Sequence, residues 1–292
     1  MMRRVSLWVP VLLFVIAVTA SGAGPQGLEG ETFTVFVSIP PQKYVVERVG
    51  GPRVDVKVLV PPGRSPETYE PSPRQMAELG RARVYFRTGM PFEDPLFRRL
   101  SGTLNDVDVV DTREGVTLRA SGAHTCAGHA DPHVWLDPQR VKIQAGTVRE
   151  ALSRLDPAHE EDYRSRFEVL AADLDRSRGK ISALLEPVQG RRFYVYHPAF
   201  GYLADAFGLI QVPLEEDGKE PGPRQLARLI EQAREDRVRV LFMQPQHASR
   251  GAQAFAEGIG ARIVPLDPLA EDLLANLERM ALEIRASFET DR

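Results

Sequence analysis

Short β-rich segments and longer amphipathic ones alternate along this chain, and the alternation runs through twice. From Glu31, TFTVFVSI, VDVKVLV, RVYFRTG and DVDVVD read as strands, with PQKYVVERVG and PRQMAELGRA as helices between them. After Gly190 the pattern restarts, with RFYVYH, LIQVPL, VRVLFMQ and ARIVPL as strands and GYLADAFG, PRQLARLIEQAREDR, RGAQAFAEGIG and LAEDLLANLERMALEIRASF as helices. Strands that follow one another through helices are joined by crossovers, which makes their sheets parallel. The pattern therefore predicts two α/β lobes of comparable size, spanning 31–155 and 190–292.

Between them runs PAHEEDYRSRFEVLAADLDRSRGKISALLEP, in which Tyr163, Phe167, Leu170, Leu174, Ile181 and Leu184 share one face of an α-helix. Asp156 is placed to cap its start, Pro157 sits at the first helical position, and Pro187 lies just past its end, giving an expected linking helix over 156–187. About thirty residues at ~1.5 Å each make a rod of roughly 45 Å, long enough to brace both lobes. Such a connection implies little relative movement, unlike a Gly/Ser linker.

The net charge is only -3 over 292 residues, and no Lys/Arg block stands out, so nothing here asks for nucleic acid. At the N-terminus, MMRR, an apolar LWVPVLLFVIAV too short to span a bilayer comfortably, and the small residues of VTASGA read as a secretory signal over 1–23, cut between Ala20 and Ala23. No cysteine stands at that cleavage zone to take a lipid anchor, so the expected location is periplasmic, free of the membrane. The one cysteine, Cys126, excludes an intrachain disulfide and leaves stability to core burial. Nothing marks oligomerisation, and a monomer is expected.

Ligands of open parallel sheets gather outside the carboxyl ends of the strands. Four polar residues follow strand ends there: Glu67 in the proline-stiffened loop PPGRSPETYEPSP, His133 in DPHVWLDP, His197 at the end of RFYVYH, and Asp267 after ARIVPL. Two imidazoles and two carboxylates, two from each lobe, suit Zn²⁺, with Mn²⁺ or Fe²⁺ acceptable to the carboxylates. Each residue also has a structural role open to it. Asp267 before Pro268 can cap the last helix, His197 can be a satisfied strand-end histidine, and Glu67 can be a solvated loop carboxylate. His133 is the strongest single candidate, held between Pro132 and the helix capped at Asp137. Tyr69, Trp135 and Tyr202 are expected to wall the cleft and keep it dry.

Taken together, PPGRSPETYEPSP, DPHVWLDP, YHPAFGYLADAFGL, EPGPRQLARLI and VPLDPLA resemble, in order and spacing, the zinc/manganese-type periplasmic solute-binding proteins of ABC transporters, from about Thr32 to the C-terminus. The resemblance implies two Rossmann-like lobes joined by a long rigid α-helix, one transition-metal ion bound in the interlobe cleft, delivery to a membrane permease, and no catalysis. It places His133, His197 and Asp267 on ligand positions. Glu67 departs from it, standing where the family usually has histidine in P-H-x-Y-E-P, which opens metal identity between Zn²⁺ and Mn²⁺ or Fe²⁺. The manganese branch usually has glutamate at the position of His197, so the chain matches neither branch fully. In QPQHAS the family often reads E-P-Q and an aromatic, so His247 is placed to replace the missing imidazole.

Zinc members of the family often carry a His-rich segment where this chain has GAHTCAGHADPH. His124, Cys126 and His129 can capture Zn²⁺ or Cu⁺ there and pass it to His133, or can be incidental to a surface loop. A zinc-dependent hydrolase is the competing class, since three ligands and a water make a catalytic site, but HExxH and GxSxG are both absent. An adhesin-like protein of the same fold is a third.

Overall fold

The computed structural model describes residues 32–100, 106–120, 130–215, 218–247 and 249–289. The expected signal, 1–23, and the candidate metal residues His124, Cys126 and His129 lie outside them. From Thr32 the chain forms one compact unit.

Strands β1 (Phe33–Val37), β2 (Val54–Val58), β3 (Val84–Arg87) and β4 (Asp108–Asp111) form a first sheet in the order β2-β1-β3-β4. Strands β5 (Arg192–Val195), β6 (Ile210–Pro213), β7 (Val240–Met243) and β8 (Arg262–Pro265) repeat that order as β6-β5-β7-β8. Every pairing is parallel, for example Phe33 with Val54 and Tyr194 with Leu241. All eight strands anticipated from sequence are present, and the reason is visible in their burial. Val35, Phe36 and Val37 are covered on both faces, as a central parallel strand requires. Each sheet reverses its direction of build between its first and third strands, so a crevice opens at the carboxyl ends of β1 and β3 and of β5 and β7.

Helices α1 (Pro40–Gly50), α2 (Pro73–Leu79), α3 (Glu93–Leu100) and α4 (Pro138–Leu155) belong to the first lobe, and α6 (Gly201–Phe207), α7 (Pro223–Glu235), α8 (Arg250–Ile259) and α9 (Leu273–Glu289) to the second. Between them α5 (Glu160–Leu185) has 26 residues, roughly 39 Å of rod, flanked by 3₁₀ turns at Pro157–His159 and Glu186–Val188. It packs against α1, α4 and α9. Tyr163, Leu170, Leu174, Ile181 and Leu185 are its fully buried positions, with Phe167 and Leu184 half-covered beside them. One apolar cluster therefore runs from β1 through this helix into Leu277 and Ile284 of α9, and a second, around Tyr194, Leu241 and Phe255, fills the other side of the second sheet.

Two local expectations change. Asp156 makes no capping bond to the backbone. Its carboxylate is taken by Arg53, Tyr163 and His159, at 3.2, 2.7 and 3.0 Å, which ties the start of the rod to the first lobe. The last helix begins at Leu273, later than its apolar pattern suggests, with Asp272 Oδ1 accepting from Ala275 N at 3.3 Å. Helix α3 was not anticipated. It is anchored by Glu93, fully buried, whose carboxylate accepts from Thr88 N, Gly89 N and the Ser38 hydroxyl.

Candidate metal centre

His133 is set by its own segment. Asp131 Oδ1 accepts from His133 N at 3.0 Å and meets the ring at Nδ1 at 2.8 Å, while Asp137 caps α4 through Gln139 N at 2.9 Å. With Nδ1 engaged by a carboxylate, Nε2 is the nitrogen left for a ligand, the arrangement that metal-binding histidines adopt. Burial opposes ionisation of Asp131, but His133 and Arg119 outweigh it and hold the carboxyl below its ordinary range. The segment is also stitched to the other lobe. Trp135 Nε1 donates to Pro268 O at 2.8 Å, and the Tyr202 hydroxyl donates to Asp131 O at 2.9 Å.

His197 follows β5 and is buried. Glu215 Oε2 holds its Nδ1 at 2.6 Å, and Glu67 Oε1, reaching across from the loop after β2, meets its Nε2 at 2.7 Å. Burial alone would lower the pKa of this imidazole, but Glu215 and Glu67 more than offset it and raise it to about 9. Conversely, burial would raise Glu67, and His197 outweighs that effect and holds it below its ordinary value. The His197 ring thus lies between carboxylates from both lobes, Nδ1 facing Glu215 and Nε2 facing Glu67.

His247, beyond β7, stacks on His197 with ring centroids 5.3 Å apart and planes 15° from parallel. Burial, then the neighbouring charge of His197, lowers its pKa and keeps it a neutral donor. Glu67, His197 and His247 can each offer an atom such that all lie within 4.8 Å of one another. His133 adjoins them, its ring 5.5 Å from that of His197. These four line one cavity with about 20 Å³ of free room, enough for a single ion or water.

Asp267 does not join the group. Its Oδ1 accepts from Gln246 Nε2 at 2.8 Å and from Leu269 N at 2.9 Å, closing a local turn. Of the expected aromatics, Trp135 walls the cavity, Tyr202 works as the strap already described, and Tyr69 bonds Gln75 outside it. Glu215 went unremarked in the sequence, since a lone glutamate after a strand carries no signal until His197 is beside it.

Two parallel α/β lobes on one rigid helix, closing imidazoles and carboxylates between them, define a metal-binding solute-binding protein. The profile of the family described as "Zinc-uptake complex component A periplasmic" matches residues 35–285, and the chain belongs to that family. A crystal structure of ZnuA is similar over 88% of this chain and 99% of its own, with TM-score 0.84 and 36% identity. A putative metal-binding protein of Chlamydia trachomatis is 28% identical, covering 93% and 96% of the two chains. The high-affinity zinc uptake protein ZnuA of Bacillus subtilis is 26% identical, covering 88% and 85%. The relatives also include a manganese-binding lipoprotein of Halalkalibacterium halodurans and an iron-binding protein of Yersinia pestis. The family's members are metal-binding transport components, which removes the hydrolase alternative. Among the described residues no helix is long and apolar enough to cross a membrane.

Proposed function

We propose that this protein captures Zn²⁺ outside the cytoplasm, as a free exported monomer, and delivers it to an ABC permease. The observation that carries the reading is the donor set. Glu67, His197 and His247 converge, with His133 beside them, and three imidazoles with one carboxylate suit Zn²⁺ better than Mn²⁺ or Fe²⁺. His247 supplies from the second lobe the imidazole that Glu67 removes from the first. Loading exchanges a proton for the ion: His197 gives up its Nε2 proton, and Glu67 turns from accepting that proton to binding the cation. Asp131 and Glu215 keep the two rings oriented throughout.

The test is metal content and competition. Protein purified without added metal is analysed for its ion, then titrated with Zn²⁺, Mn²⁺ and Fe²⁺ against a chelator. One Zn²⁺ per chain, preferred over the others and lost in His197→Ala, is expected; preference for Mn²⁺ or Fe²⁺ refutes the zinc assignment.

A further inference from the structure

Arg119 lies where the two lobes meet. Its Nη1 forms an ion pair with Asp131 at 3.5 Å, and its Nε lies 2.7 Å from Asp205 Oδ2 on α6. Asp131 is the carboxylate that orients His133, and α6 begins at Gly201, shortly after His197 in the chain. One guanidinium therefore spans from behind one candidate ligand to the helix behind another. The backbone follows the same line. Asp131 N donates to Arg119 O at 3.2 Å, and the Tyr202 hydroxyl accepts from Arg119 N and donates to Asp131 O, both at 2.9 Å.

Gly201 marks the passage the side chain takes. A Cβ placed there would coincide with Arg119 Nη1 and come within 3.0 Å of Asp131 Oδ2. The backbone does not ask for glycine: the residue opens a helix and its φ is not positive, a setting in which alanine is the better helix former. What needs the missing side chain is the guanidinium. Asp131 is buried and Asp205 half-exposed, so the inner end of the bridge is the less screened of the two. Arginine suits the place because its planar fork can serve two carboxylates at once, where lysine offers a single point charge.

We propose that Arg119 is a positioning residue for metal binding: threaded past Gly201 between Asp131 and Asp205, it holds the His133 segment of the first lobe in register with the helix that follows His197. The proposal rests on the metal-binding reading above. The rings of His133 and His197 are 5.5 Å apart, and an ion shared by both needs each nitrogen within about 0.2 Å of its preferred distance. A bridge that fixes one segment against the other thus acts on affinity without touching the ion.

The test is Zn²⁺ affinity of the full exported chain, measured by competition against a chelator, with melting of the metal-free protein alongside. Arg119→Ala should lower affinity about tenfold, the lower end of what loss of a group that orients a ligand costs. Gly201→Ala should lower it by a similar factor with little change in melting, since the new methyl displaces chiefly the far end of a flexible side chain. In an Arg119→Ala background, Gly201→Ala should cost less than about twofold, because the guanidinium it displaces is gone. In a His133→Ala background, Arg119→Ala should also cost less than about twofold, whereas a merely structural role would keep its full cost there. Asp205→Ala, at the half-exposed outer end, should lose about two- to fivefold. Wild-type affinity in folded Arg119→Ala, or additive losses in either pair, overturns the inference while Zn²⁺ binding by the wild type keeps the metal reading standing. If Arg119→Ala does not fold, Gly201→Ala and Asp205→Ala decide alone, and wild-type affinity in both overturns the inference. A wild-type protein that binds no Zn²⁺ overturns the metal reading itself, and this inference with it.

Discussion

The proton held at His197 makes metal affinity depend on pH far above the usual imidazole range. Because its pKa in the metal-free protein is raised to about 9, only about one molecule in a hundred has a free Nε2 at pH 7, and roughly one in a thousand at pH 6. Apparent Zn²⁺ affinity should therefore rise about 100-fold from pH 7 to above pH 9, or roughly 2.7 kcal/mol. A histidine at its ordinary pKa would gain less than about twofold over that interval. Chelator-buffered Zn²⁺ titrations in half-unit steps measure the slope, and the change in Trp135 emission reports occupancy, since that ring lies 5.3 Å from His133. An affinity that is flat from pH 7 to 9 and falls only below 7 refutes the argument. The same pair sets the stability of the metal-free protein. A pKa raised on folding stabilises fully below the unfolded value of 6.5 and is lost as pH rises through about 9, so stability should fall by roughly 3 kcal/mol across that window. The lowered pKa of Glu67 is the other face of this interaction and is not counted again.

His247→Phe retains a ring against His197 but no donor, and Zn²⁺ affinity in competition titration should drop at least about tenfold with little change in melting temperature. Glu215→Gln loosens the hold on His197 Nδ1; an affinity loss of about 10–100-fold above pH 9, where the proton no longer competes, is expected by the same titration. Leu174→Ala, in the centre of α5, should cost about 2–5 kcal/mol in denaturant unfolding while leaving Zn²⁺ affinity nearly unchanged, because the cavity is not touched.

Much of the fold was legible because burial on both faces writes itself into a chain as unbroken apolar runs such as VLFM. The rod was legible too, since its buried positions recur at helical spacing. Helix α3 was not, because FEDPLFRRL carries a proline in its first turn and owes its order to Glu93 meeting Ser38 and the turn after β3, contacts that sequence spacing does not reveal. At the site, His133, His197 and Glu67, singled out from their positions after strands, are brought to one cavity. Asp267 and His247 differ in placement for a spatial reason: one oxygen of the carboxylate that follows β8 is taken by an amide from the β7 loop, and the histidine three residues after Gln244 turns back over His197.

The unbroken core through α5, together with the Trp135 and Tyr202 straps, bears on how long the cargo stays. A core and two hydrogen bonds shared by the halves favour local opening over a wide swing of one half from the other. On the proposed reading, release is expected to depend on Glu67 leaving the ion, a local event in the loop after β2. Residence time should then follow the hydrogen-exchange protection of the loop and ignore how hard the whole molecule is to unfold.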